Sequence, residues 1–122
     1  MTVEERDRTI TDFGTAAFQA CEAGFDMVEI HGAGGYLLCQ FLSSFTNKIR
    51  PDQRNDLTER TVFPLTVLRE IKRRLPDRFP IDYRLIARGS VRHNHDVTVR
   101  CCQNQTMAAW KHFSKVIAQC DR

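Results

Sequence analysis

Apolar or small residues recur at helical spacing through Ile10, Phe13, Ala17, Ala20 and Cys21, with polar residues between them, and the spacing predicts a helix over residues 3–23. Thr2-Val3-Glu4-Glu5 at its start has the form of a capping box, in which the Thr2 hydroxyl and the Glu5 carboxylate satisfy free amides of the first turn. Gly24 suits a left-handed stop. The period then shortens: Met27-Val28-Glu29-Ile30 is short and partly β-branched, which predicts a strand over 26–31 ending on His31. A long connection from Gly32 to Asn55 follows, broken by a short amphipathic piece around Leu37 to Leu42. Connections of that length are commonly functional. Apolar positions return at Val62, Leu65, Leu68, Ile71 and Leu75, predicting a second helix that begins near Asp56, with Asp56 as cap and Glu59 reaching back. Pro64 either kinks this helix or marks its first turn.

Pro76 and Pro80 bracket a turn, and Ile81 to Ala87 reads as a second strand. The order helix, strand, helix, strand predicts parallel pairing with right-handed crossovers, an α/β architecture. From Ser90 the pattern changes. Arg92 to Asp96 is polar, Val97 to Val99 is a short β-like fragment, and Thr106 to Gln119 has the makings of a terminal helix.

Composition narrows the classes. The chain has 122 residues, 42% hydrophobic and 27% charged, enough for one domain with a modest core. It holds no run of about twenty apolar residues, and Met1 is followed by Thr2, Val3 and two glutamates, so it reads as soluble and unprocessed at its start, with no membrane partner. A net charge of +3 and a pI near 8.7 are mildly basic, with arginines scattered among acids, which argues against a nucleic-acid partner. Five cysteines without CxxC spacing point to a reducing, cytoplasmic setting.

Strand alternation places Met27, Glu29 and His31 on one face and Val28 and Ile30 on the other; in the second strand Asp82, Arg84 and Ile86 oppose Ile81, Tyr83 and Leu85. The apolar faces should meet helices. On the other side Glu29 and Arg84 can offset each other across adjacent strands, or Arg84 can face an anionic or electron-rich ligand. An ion pair without a catalytic role is the alternative for those charges, but it leaves His31 unexplained. Gly32, Gly34 and Gly35 beside His31 let backbone approach a ligand closely, and Tyr36 brings a phenol within a few residues of the imidazole. The pair His93 and His95, with Cys101 and Cys102 nearby, matches no zinc spacing and reads as a solvated loop, so no metal is assigned.

The succession from Met1 through VEIHGAGGYLLCQFLSSFTNK, continuing through LTERTVFPLTVLREI to FPIDYRL, closely resembles the old yellow enzyme family over about residues 1–88. These are flavin-dependent NADH oxidoreductases and enoate or dienoyl reductases. The resemblance implies an enzyme with FMN over the mouth of a TIM (β/α)8 barrel, reduced by NAD(P)H and delivering hydride to an activated alkene. It matches His31 to a donor to the substrate carbonyl, Tyr36 to a proton donor to the alkene, and Arg84 to a flavin contact. Two departures stand out: Gly34 occupies the place of a second carbonyl donor, and Gln53 to Asp56 replaces a glycine-rich turn. Asp82 also replaces a small residue two before Arg84.

The expected fold is therefore a partial TIM barrel of about two strand–helix units over residues 1–90, with 91–122 a divergent tail, since a whole barrel takes about 250 residues. The alternative to a catalytic segment is an inactive remnant or association module, a homo-oligomer formed through open sheet edges.

Overall fold

A computed structural model describes residues 1–43, 46–47, 57–86 and 96–100. Helix α1 spans Val3–Glu22, strand β1 Val28–Gly32, helix α2 Leu37–Leu42, helix α3 Leu57–Arg74, strand β2 Ile81–Ile86 and strand β3 Asp96–Arg100. The alternating order read from the sequence is present. The first strand begins two residues later than its pattern predicts and takes in Gly32, and the second stops at Ile86 instead of Ala87.

Helix α1 is closed at both ends by its own sequence. The Thr2 N–H donates to Glu5 Oε2 at 2.7 Å and the Glu5 N–H returns a bond to Thr2 Oγ1 at 3.1 Å, the reciprocal capping box. At the other end the Gly24 N–H reaches Cys21 O at 3.0 Å and the Phe25 N–H reaches Ala20 O at 3.2 Å, with Gly24 at φ +87°. That is the Schellman arrangement, which needs a residue free to enter the left-handed region.

Strands β1 and β2 pair in parallel, placing Glu29 beside Asp82, Ile30 beside Tyr83 and His31 beside Arg84. The side chains of Ile30, Ile81, Tyr83 and Leu85 are buried, and with Ala17, Leu38, Phe63, Val67, Ile71 and Leu75 they form one core between the sheet and the helices. Helix α2 joins through Leu38 and through Phe41, whose ring lies 4.2 Å from that of Phe63 between centroids. The central contact is at Gly32. A Cβ there would come within 2.6 Å of the Tyr83 hydroxyl oxygen and closer still to its ring, so the absent side chain is the space in which Tyr83 lies.

Two expectations are corrected. The buried stripe of α3 runs Phe63, Val67, Ile71 and Leu75, whereas Val62 is 49% exposed and Leu65 and Leu68 only flank the core. A strict four-residue spacing from Phe63 selects one ridge of the helix, and Val62 stands off it. Of the two expectations for Pro64, the first-turn one is excluded, since it sits inside α3, which begins seven residues earlier. Strand β3 adds a departure from the parallel pattern, since it runs antiparallel to β2, with Asp82 opposite Arg100, Arg84 opposite Thr98 and Ile86 opposite Asp96. The expected cap at Asp56, the altered turn at Gln53 to Asp56, His93, His95, Cys101, Cys102 and the terminal helix lie outside the described residues. Among the described residues no helix is long and apolar enough to cross a membrane.

Helices α1 and α3 meet over Gly14, where a Cβ would be 2.8 Å from Arg74 Nε and 2.9 Å from Glu70 Cγ. Through that gap Arg74 Nη1 donates to Thr15 Oγ1 at 3.0 Å, while Arg74 Nε and Arg73 Nε hold Glu70 at 2.6 and 2.8 Å. Hydrogen bonds from Arg73, then Arg74, lower the Glu70 carboxyl from its ordinary 4.5 to about 2.

A group whose folded-state value is depressed contributes stability above its unfolded value and loses it as pH falls through the folded one. Stability should therefore decline on acidification from about pH 4.5 toward pH 2, and Glu70→Gln should remove that part of the slope in denaturant titrations at several pH values. Gly32→Ala should destabilise the fold by about 1–3 kcal/mol through overpacking against Tyr83, read as a lower urea midpoint.

Candidate active site

His31 and Tyr36 gather at the C-terminal end of β1, and a tight turn arranges them. Ala33 to Tyr36 form a two-glycine reversal in which the Tyr36 N–H donates to Ala33 O at 3.2 Å, with Gly34 at φ +64° and Gly35 at φ +77°. Both central residues lie in the left-handed region, as a type I′ turn requires, and glycine enters it without steric cost. Gln40 in α2 fixes the turn: its Nε2 donates to Gly35 O at 2.7 Å and its N–H to Tyr36 O at 2.9 Å.

The turn folds Tyr36 back toward His31. Their ring centroids are 5.0 Å apart and the planes tilt by 53°. Both side chains are exposed, Tyr36 at 63%. Imidazole and phenol therefore stand together at the rim of the sheet, each able to donate a proton or a hydrogen bond to a small molecule.

Arg84 occupies the neighbouring strand position, beside His31 in the β1–β2 register. Its Nη2 lies 2.5 Å from Glu29 Oε1, with the two side chains 39% and 32% exposed. This is the cross-strand pair that alternation predicts, diagonal along the polar face, and it is half open to solvent, not deeply buried. The sequence thus brings His31 and Tyr36 into contact and Arg84 onto the adjoining strand. Asp82, expected as a rival for Arg84, is 7% exposed, pairs in register with Glu29 of β1 and stands opposite Arg100 of β3.

Arg60 was not singled out by its sequence position, yet its side chain is 2% exposed in the first turns of α3. Its place on the Phe63, Val67, Ile71 ridge, three residues ahead of Phe63, is the signal that would have marked it.

Comparison with known proteins decides the ancestry. The NADH:flavin oxidoreductase / NADH oxidase family matches residues 1–120. The chain belongs to that family. Among individual relatives, a probable NADH-dependent flavin oxidoreductase of Bacillus subtilis strain 168 is 43% identical over 90 residues, which is 70% of this chain and 24% of that protein. An NADH oxidase of Thermoanaerobacter brockii is 41% identical over 88 residues, 71% of this chain and 13% of that protein. A 12-oxophytodienoate reductase 2 of Arabidopsis thaliana is 40% identical over 82 residues, 66% of this chain and 22% of that protein. The chain thus spans about a quarter or less of the length of these relatives. The resemblance carried by the motifs of residues 1–88 is upheld, and the family match continues past them to residue 120.

The Glu29–Arg84 pair should contribute little to folding because both groups face water. A double-mutant cycle with Glu29→Gln and Arg84→Gln should return a coupling of about 0.2–1 kcal/mol in denaturant titrations.

Proposed function

We propose that this chain is a section of an FMN-dependent NAD(P)H oxidoreductase that reduces activated alkenes, with its strands part of a TIM barrel and residues 91–122 a divergent tail. The observation that carries the reading is the exposed His31–Tyr36 pair at a strand end, next to Arg84, in a chain of this family. Strand ends of this polarity are where barrel enzymes gather their reacting groups.

The residues present suit a flavin along one edge. An arginine carries five N–H donors, more than the single carboxylate of Glu29 takes up, and it remains half exposed on an open polar face. Arg84 would hold the carbonyl and nitrogen acceptors of the ring system while Glu29 steadies the guanidinium. When bound, FMN would supply the hydride, replaced in turn by oxidation of NAD(P)H to NAD(P)+.

The chain's own residues do the rest. His31 donates to the carbonyl oxygen that conjugates with the alkene, and its bond strengthens as negative charge develops there. The Tyr36 phenol releases a proton to complete the reduction, so the substrate gains one hydride and one proton. A relative named for 12-oxophytodienoate supports a conjugated carbonyl compound as the substrate class. Among the described residues the thiols of Cys21 and Cys39 are free, which supports a cytoplasmic setting.

Purified protein should take up FMN and bleach anaerobically with NAD(P)H. Arg84→Met should weaken FMN binding about tenfold or more, the scale of a charge-assisted hydrogen bond, and His31→Ala should lower kcat by roughly 10²–10³. Colourless protein that takes up no FMN would overturn the assignment for this chain.

A further inference from the structure

Strand β2 has a neighbour on each side, and the two run in opposite senses. It is parallel to β1 and antiparallel to β3, which pairs with it at every position from Asp82 to Ile86. The register is specific. It sets Val99 opposite Tyr83 and Val97 opposite Leu85, apolar with apolar, and Arg100 opposite Asp82, base with acid. A one-residue slip would set a valine against Asp82 or Arg84, so the alternation of residues 96–100 is matched to that of β2 in this sense and at this offset. A TIM barrel gives each strand parallel neighbours only. Strand β3 therefore stands on the edge of β2 where a barrel would place its next strand.

We propose that β3 is an edge strap: it occupies the hydrogen-bonding edge of β2 that a further parallel strand would need, and it must detach before any strand can join the sheet on that side. A strand has two edges, and both of those of β2 are taken, so a new partner requires one of the present ones to leave. Burial decides which one leaves. Strands β1 and β2 bury Ile30, Ile81, Tyr83 and Leu85 against the helices, with Tyr83 lodged at Gly32, whereas β3 meets chiefly β2 among the described elements. Local opening follows the weaker apolar anchorage, so β3 is released at lower free energy than the β1–β2 pairing is broken. While docked, the strap covers a row of backbone donors and acceptors that would otherwise template pairing with another chain. The inference concerns the sheet alone and does not rest on the flavin reaction proposed above.

The test is amide hydrogen exchange along β2 in the full chain, in wild type and in Val97→Pro and Thr98→Pro. Successive N–H groups of a strand point to opposite edges, so one of these two prolines removes a bond from the β2–β3 ladder. In wild type the consecutive amides of β2 should all be protected, with the alternate set that faces β3 exchanging faster than the set that faces β1. In one proline variant, at low protein concentration, the β3-facing set should lose protection while the β1-facing set keeps it, which shows that the rest of the sheet persists. At rising concentration the same variant should sediment as larger species than wild type, since its β2 edge is bare. Unprotected alternate amides or equal rates for the two sets in wild type, or full protection in both variants, would overturn the strap. Loss of all protection in a proline variant would also overturn it, because β3 would then be inseparable from the sheet. Bared amides without added association would overturn its part in excluding other strands.

Discussion

The seating of Tyr83 against the bare backbone of Gly32 governs the arrangement of this molecule. The ring is wholly buried and occupies the place of a side chain on the neighbouring strand, so β1 and β2 slide past each other only by ejecting it. A one-residue slip would also turn Ile30 outward and Glu29 inward. Steric fit and alternation therefore select the same register, and that register puts His31 next to Arg84. The end of the sheet that holds His31 and Arg84 is positioned by packing on its opposite face.

Charge then follows geometry. With apolar side chains committed to the helices, the polar residues of β1 and β2 share the remaining face, and Glu29 meets Arg84 there. Half exposure keeps the desolvation cost of the two ions low, so the pair orders the guanidinium without making it inaccessible. Asp82 sits between the two edges of that face: it is buried, beside Glu29 of β1 and opposite Arg100 of the antiparallel β3. The Asp82 carboxylate is matched, at the level of register, by Arg100 on the strand that departs from parallel order.

Much of this was legible in the chain. The capping box at Thr2 and Glu5 and the stop at Gly24 are local devices whose partners lie within a few residues, so sequence alone specifies them. The short helix Leu37–Leu42 and the alternating faces of both strands were equally readable. The buried stripe of α3 was not, because Val62 and Phe63 are both apolar and only the shape of the sheet beneath decides which one turns inward. The direction of β3 was also hidden, since Val97 to Val99 pairs equally well in either sense until a partner edge is known. At the site, His31 and Tyr36 were legible as types at a spacing. That their rings stand 5.0 Å apart came only from three dimensions.

Helix α1 is attached by different means from the sheet, and its dynamics should differ accordingly. Of its 20 residues only Gly14 and Ala17 are fully buried, while Ile10, Phe13 and Cys21 pack partly buried against the core beside the polar link from Arg74 to Thr15 and Glu70. Apolar burial sets the free energy of local opening more than solvent-facing polar contacts do. The amide protons of α1 would thus exchange with solvent through excursions that leave β1 and β2 paired, making this helix a separate cooperative unit in an otherwise closely coupled molecule.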